Sequence, residues 1–265
     1  MAGILCIQID SEFGNKEVNK KKIEKILDEN SQHKLDLVLF PEFFSTSTAY
    51  RNSPEDENGG QTIEWACNLA KKYNTNIIAG TIVRKVSDKF YNTSFAISRN
   101  GEILAKYDKI HLYNYTGGKE GTFNSPGDKI VTVDFDFARV GMAICFDIRY
   151  PLHFNKLIKK EVDIIALPTA WLIPAESFKN ELETVREMWV SMLRTRAYDN
   201  MVYFAVCNQF GKATDAVWGI GDSMIISPEA EILAKIENGE GAIYSEIQIE
   251  KVKELRKTFP IAKID

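Results

Sequence analysis

Apolar residues fall into short runs that alternate with amphipathic stretches along the chain, and this alternation predicts an α/β protein. ILCIQI (residues 4–9) is an apolar run of strand length. Residues 16–30 follow with Val18, Ile23, Ile26 and Leu27 near helical spacing. LDLVLF (35–40), closed by Pro41, reads as a strand buried on both faces. GGQTIEWACNLAKKY predicts a second helix and NIIAGTIV (76–83) a third buried strand. YNTSFAISRNGEILAKY reads as a hairpin turning at Asn100-Gly101, a dipeptide that tolerates the positive φ of a tight hairpin turn.

The second half repeats the theme. IVTVDFDF and ARVGMAICF predict a strand pair, PLHFNKLIKK a helix, VDIIALP a buried strand, and residues 176–199 one long helix. MVYFAVCNQF, DSMIIS, EILAKI and AIYSEI predict four further strands, and IEKVKELRK a closing helix. Strands alternating with helices favour parallel pairing with the helices outside, while the hairpins add antiparallel strands. The count predicts two stacked mixed sheets with helices on the outer faces, a four-layer αββα sandwich. No linker or low-complexity tract interrupts it, so residues 1–265 are expected to form a single domain.

Composition narrows the function classes. A net charge of -4 gives no reason to expect a nucleic-acid or anionic-membrane partner. No apolar run approaches the roughly 20 residues of a bilayer span. MAGILCIQID lacks the basic flank of a signal peptide and reads as a first strand, so a cytoplasmic protein is expected. Cys6, Cys67, Cys145 and Cys207 are widely spaced without a CxxC pair, which predicts free thiols and neither a disulfide framework nor a thiolate zinc site.

Three strand ends carry unusual residues. Glu42 follows a buried strand and Pro41, where open α/β sheets place ligand-facing groups, and burial would raise its pKa toward that of a useful base. It also fits an acidic first-turn position of a helix. Lys109 leaves the hairpin between Tyr107 and Ile110, and a snorkelling stem is the other reading. Cys145 ends the run ARVGMAIC before a polar segment and a helix. Such a turn exposes a thiol near helical N–H groups that favour its thiolate, and the next N–H can serve an oxyanion hole. A core cysteine is the alternative.

Together, LFPEFF, YDKIHL and ICFDIRYP resemble the three motifs of the nitrilase (carbon–nitrogen hydrolase) superfamily, with weaker echoes in YNTSF, LRTRAYDN and GDSMIISPEAEILA. The resemblance implies the αββα fold and a thiol hydrolase of non-peptide carbon–nitrogen bonds, without a metal or other cofactor. It implies Glu42 as general base, Cys145 as nucleophile, and Lys109 with the Phe146 N–H as oxyanion donors. Glu120, in TGGKEGTF, best fits the position of a second glutamate that orients the lysine. The chain departs from the pattern at Leu152, where a glutamate is common, and at Met188-Trp189, where His-Trp is common. Residues 173–187 look longer than usual, and SPEAE replaces a Pro-x-Gly turn.

Within the superfamily, CFDIRYP with LRTRAYDN looks most like the branch that hydrolyses small linear amides, including ω-amides of dicarboxylic acids. Arg149 is then expected to hold a substrate carboxylate, since a guanidinium matches it bidentately, or else to form a structural ion pair. Trp171, Thr169 and Tyr115 are further candidates for substrate contact. Carbamoyl substrates are the runner-up, and nitriles come third. The family usually assembles as homodimers through the helix after the cysteine and the long second-half helix. A Cys–His hydrolase is the main chemical rival, with His111 and His153 as its candidates, but no papain-like signature occurs. Gly219-Ile220-Gly221 begins a dinucleotide fingerprint whose third glycine is replaced by Met224. A non-catalytic binding module on the same fold is the remaining class.

Overall fold

The computed structural model describes residues 1–115 and 118–260. In chain order the main elements are β1 (Ala2–Gln8), α1 (Lys16–Glu29), β2 (Leu37–Leu39), α2 (Gly60–Tyr73), β3 (Asn76–Ile78), β4 (Ile82–Val86), β5 (Lys89–Ile97) and β6 (Ile103–Asp108). The second half runs β7 (Thr132–Asp134), β8 (Arg139–Met142), α3 (Pro151–Ile158), β9 (Ile164–Thr169), β10 (Leu172–Pro174), α4 (Ala175–Asn180) and α5 (Leu182–Asn200). It ends with β11 (Tyr203–Asn208), β12 (Phe210–Lys212), β13 (Val217–Ile220), β14 (Ser223–Ile226), β15 (Ile232–Ile236), β16 (Gly241–Ile247) and α6 (Ile249–Thr258).

Two mixed sheets result. One has the order β16-β1-β2-β3-β5-β4, with β6 paired to β5, and the other β15-β14-β11-β9-β8-β7. Each holds three parallel strands at its centre: β1, β2 and β3 in the first, β8, β9 and β11 in the second. The alternation of side chains along β1 explains the layering. Ile4 and Cys6 face the second sheet, in one cluster with Leu37, Leu39, Ile164, Ala166, Ala205 and Cys207. Leu5 and Ile7 face outward and pack with Ile23, Ile26 and Leu27 of α1 and Ile63, Ala66 and Leu69 of α2. On the far side, Ile165, Leu167, Phe204 and Val206 pack with Phe154 and Leu157 of α3 and Trp189, Leu193 and Ala197 of α5. The expected four-layer αββα sandwich is the observed one. Each fully buried leucine or isoleucine in these layers contributes about 1.5–3 kcal/mol of burial energy.

The structure departs from the expected elements at three places. The run 76–83 is two strands, broken where Gly80 adopts φ +42. A Cβ there would stand 2.1 Å from the Pro41 carbonyl oxygen and 2.8 Å from Phe44 Cδ1, so the turn after β3 lies directly against the turn after β2. Gly80→Ala is expected to cost about 1–3 kcal/mol in strain and clash, a fall of several degrees in Tm readable by thermal unfolding. The long helix 176–199 is broken at Glu181, whose φ of -131 is not helical. The third departure is a small antiparallel sheet, β10-β13-β12, formed from stretches of three or four residues that carry too little periodicity to read.

Candidate active site

The carboxyl ends of parallel strands from both sheets converge on one place. Glu42 lies past β2, Cys145 past β8, and Ala170 just past β9. Lys109 follows β6 directly, and Glu120 begins a short 3-10 turn over Glu120–Thr122. Glu42, Lys109, Glu120 and Cys145 are all buried.

The polar contacts within this cluster are dense. Lys109 Nζ donates to Glu42 Oε1 and to Glu120 Oε2, each at 2.9 Å. Asn92 Nδ2 donates to Glu42 Oε1 at 2.8 Å and to Glu120 Oε1 at 2.9 Å. The Ala170 N–H donates to Glu42 Oε2 at 2.9 Å, and the Tyr113 N–H to Glu120 Oε2 at 2.8 Å. Gln209 Nε2 holds the Glu42 carbonyl at 2.7 Å. Every carboxylate oxygen therefore has a donor, as burial of charge demands.

Charge and burial fix the resting protonation. Burial raises the Glu42 pKa, and the Glu120 charge adds to this, against the opposing pull of Lys109. Burial opposes the Lys109 charge, but the Glu120 and Glu42 carboxylates outweigh it and hold the ammonium well above the usual lysine range. Burial and the Glu42 charge push the Cys145 thiol well up, with Lys109 and the Ala170 N–H pulling weakly the other way. These shifts favour a neutral thiol beside a charged ammonium. The thiol contacts the Glu42 carboxylate, and the groups that act most on it include no histidine.

The backbone at Cys145 is itself unusual. It sits at φ +43, opening the 3-10 turn Cys145–Arg149. For a residue with a Cβ this conformation costs about 1–3 kcal/mol and persists only where its surroundings enforce it. Asp147 supplies the enforcement. Its Oδ2 accepts from the Ile144 N–H at 2.8 Å and from Tyr107 Oη at 2.7 Å. Its Oδ1 accepts from the His111 N–H at 3.1 Å and lies 2.6 Å from His111 Nδ1. Burial alone would raise Asp147, but the bonds from His111, Ile144 and Tyr107, with His153 close by, hold its pKa below the usual carboxylate value.

The remaining candidates divide. Phe146 is the first residue after the thiol and packs edge-on against Tyr113, ring centroids 5.2 Å apart. Arg149 is exposed, with its guanidinium 5.4 Å above the Trp171 ring. Trp171 also packs on Trp189 at 4.9 Å, and its N–H is held by Asn208 Oδ1. Tyr115 is exposed beside Phe146. Thr169 turns its buried hydroxyl back to the Leu167 carbonyl along its own strand, and its carbonyl receives the Glu42 and Gln209 N–H groups. Its part is to fix the Glu42 turn. His111 pairs with Asp147 and not with Lys109. Asn92 and Asp147 were missed as site residues although both lie inside the quoted motifs YNTSF and ICFDIRYP. Asn92 stands beside Thr93 and Ser94 on β5, so its polarity alone gave no local signal.

A thiol, an ammonium and two carboxylates meeting at the strand ends of an αββα sandwich define an amidase-type hydrolase. The chain belongs to the carbon–nitrogen hydrolase family, whose sequence model matches residues 5–257. It is 31% identical over 261 residues to a 2-oxoglutaramate amidase of Bacillus subtilis, covering 97% of this chain and 95% of that one. It is 30% identical to the human omega-amidase NIT2 over 85% of this chain and 81% of that one. The fold superposes on Saccharomyces cerevisiae Nit3, a member of branch 10 of the nitrilase superfamily, with a TM-score of 0.82, 25% identity and coverage of 99% and 95%. This protein is accordingly an amidase acting on carbon–nitrogen bonds other than peptide bonds. Among the described residues no helix is long and apolar enough to cross a membrane.

Proposed function

We propose that the protein hydrolyses the terminal amide of a small, linear, carboxylate-bearing substrate, with Cys145 as nucleophile. Glu42 takes the thiol proton as sulfur attacks the amide carbon. The oxyanion is held by the Lys109 ammonium and the Phe146 N–H. Collapse expels ammonia, protonated by Glu42, and leaves a thioester on Cys145. Glu42 then deprotonates a water that attacks the thioester, returning the free thiol and a carboxylic acid. Glu120 and Asn92 hold Lys109 and Glu42 in place. The observation that carries this reading is the buried Lys109 shared between Glu42 and Glu120 at 2.9 Å beside the thiol.

Two relatives named for amides of this kind favour the ω-amide class. Arg149, beside the nucleophile turn, is assigned to the substrate carboxylate. Arg149→Ala is expected to raise KM for an acidic amide about tenfold, as loss of a charged hydrogen bond does, and to leave a neutral amide of equal length unchanged. Ammonia release from a panel of ω-amides, carbamoyl amines and nitriles, with Cys145→Ala as the blank, tests the whole reading. Faster turnover of carbamoyl amines, with carbon dioxide released alongside ammonia, would move it to the runner-up class.

The protonation state sets the pH profile. Turnover needs Glu42 ionised, and its pKa is raised, so kcat/KM falls as pH drops through a value above the ordinary glutamate range. Cys145 keeps its proton well past the ordinary cysteine range. Its alkylation by iodoacetamide should therefore follow the acid limb of Glu42, without the rise near pH 8–9 of a free thiol. Four free cysteines support a reducing, cytoplasmic location. Exposed Leu152 on α3 with Met188 and Tyr198 on α5 support a homodimer through those helices. The inter-sheet cluster shared by both halves supports a single domain over 1–265, of which 261–265 lie outside the described residues.

A further inference from the structure

A second group of donor atoms stands just beyond the nucleophile. Asp147, two residues after Cys145, is fully buried, and His153 on α3 is 3% exposed. His111 completes the group, and one donor atom from each of the three lies within 4.8 Å of the others. Neither ring nitrogen of His153 makes a hydrogen bond of ordinary geometry, though the Met142 main chain lies beside it. A buried imidazole without a proper partner is costly unless something occupies it. A cavity of about 280 Å³ opens at the same place, lined by both histidines with Tyr150, Leu152 and Lys156. It adjoins the buried donors.

We propose that His111, Asp147 and His153 form a binding site for a divalent transition metal of the zinc class, and that its occupancy slows the enzyme through the nucleophile turn. Two imidazoles and one carboxylate suit zinc, whereas magnesium and calcium demand more oxygen ligands. With bonds of about 2.0–2.2 Å, donors on one tetrahedral ion stand roughly 3.4 Å apart. His111 Nδ1 already lies 2.6 Å from Asp147 Oδ1, so a shared ion would part that pair and draw any donors near the 4.8 Å limit closer by more than an ångström. The Lys156 side chain at the cavity opposes a cation and weakens the site.

The coupling to turnover follows from what Asp147 already does. Its carboxylate braces the Ile144 N–H and Tyr107 Oη, and so the strained φ of Cys145. A metal that draws the carboxylate toward itself loosens that brace. Displacement of a reacting atom on the ångström scale costs up to about 10²-fold in rate. This consequence rests on Cys145 being the nucleophile; the binding itself does not.

The experiment separates the two. Zinc is titrated calorimetrically into the Cys145→Ala protein, which lacks the soft thiol, and into the same protein carrying His153→Leu or His153→Gln. One equivalent should bind to the first and none to either double variant, and cobalt in place of zinc should give visible bands without thiolate charge transfer. In protein with Cys145 intact, zinc should slow turnover at least about tenfold, and the rate of His153→Leu, compared with its own zinc-free rate, should be insensitive to zinc. Loss of binding in Cys145→Ala, or unchanged binding in both double variants, overturns the site. Stoichiometric binding with unaltered turnover overturns the control it exerts.

Discussion

Glu42→Gln is expected to lower kcat by about 10²–10⁴-fold, the worth of a well-placed general base, while the protein stays folded. Glutamine keeps the shape of glutamate and removes both its charge and its ability to take the Cys145 proton. The stability cost is bounded by the donors to its carboxylate. Lys109 and Asn92 both donate to Oε1, and the Ala170 N–H donates to Oε2. A carboxamide oxygen can keep the first pair, but its NH₂ then faces the Ala170 N–H, so one bond is lost at about 1–3 kcal/mol. Single-turnover kinetics should show no burst of acyl-enzyme, and the acid limb of the pH profile should vanish with the group that makes it. Retention of more than about a tenth of the wild-type kcat would remove Glu42 from the role of base.

The layers of this fold were legible because burial writes a clear period into sequence. Leu37, Val38 and Leu39 are apolar in succession since both faces of a central parallel strand are covered. Glu42 and Cys145 drew notice for a related reason, since each stands at the end of an apolar run, whereas Lys109, between Asp108 and Ile110, was singled out only by the resemblance of YDKIHL to a family motif. What stayed hidden was contact across the chain. Asn92 bridges two glutamates 50 and 28 positions away, and nothing local marks it as more than a polar residue on a strand. Asp147 was quoted within a motif, but its four donors come from Ile144, Tyr107 and His111. At Thr169 it is the main-chain carbonyl that receives the Glu42 N–H, and sequence does not tell whether a strand-end residue presents its side chain or its carbonyl. The break at Glu181 was hidden because glutamate is a good helix former and carries no stop signal of its own.

Lys109→Met separates the electrostatic part of the cluster from its packing part. Methionine fills much of the lysine stem, so the loss is chiefly of charge. Glu42 and Glu120 are then two buried carboxylates that share one Asn92 amide and no cation. Removing one partner of a buried ion pair costs about 3–5 kcal/mol, a fall in Tm of roughly 10 °C or more. Like charges raise the proton affinity of the pair, so one carboxyl in the folded variant binds a proton that the unfolded chain releases. A folded-state pKa above the unfolded one makes stability fall as pH rises. The deficit of Lys109→Met against wild type should therefore be larger at pH 8 than at pH 5. Adding Glu120→Gln removes the repulsion and should restore part of the Tm at pH 8. It should restore none of the activity, because the oxyanion has lost its ammonium, a donor worth about 10²–10³ in kcat. A double variant that regains turnover along with stability would show that Lys109 serves only to neutralise its two carboxylates.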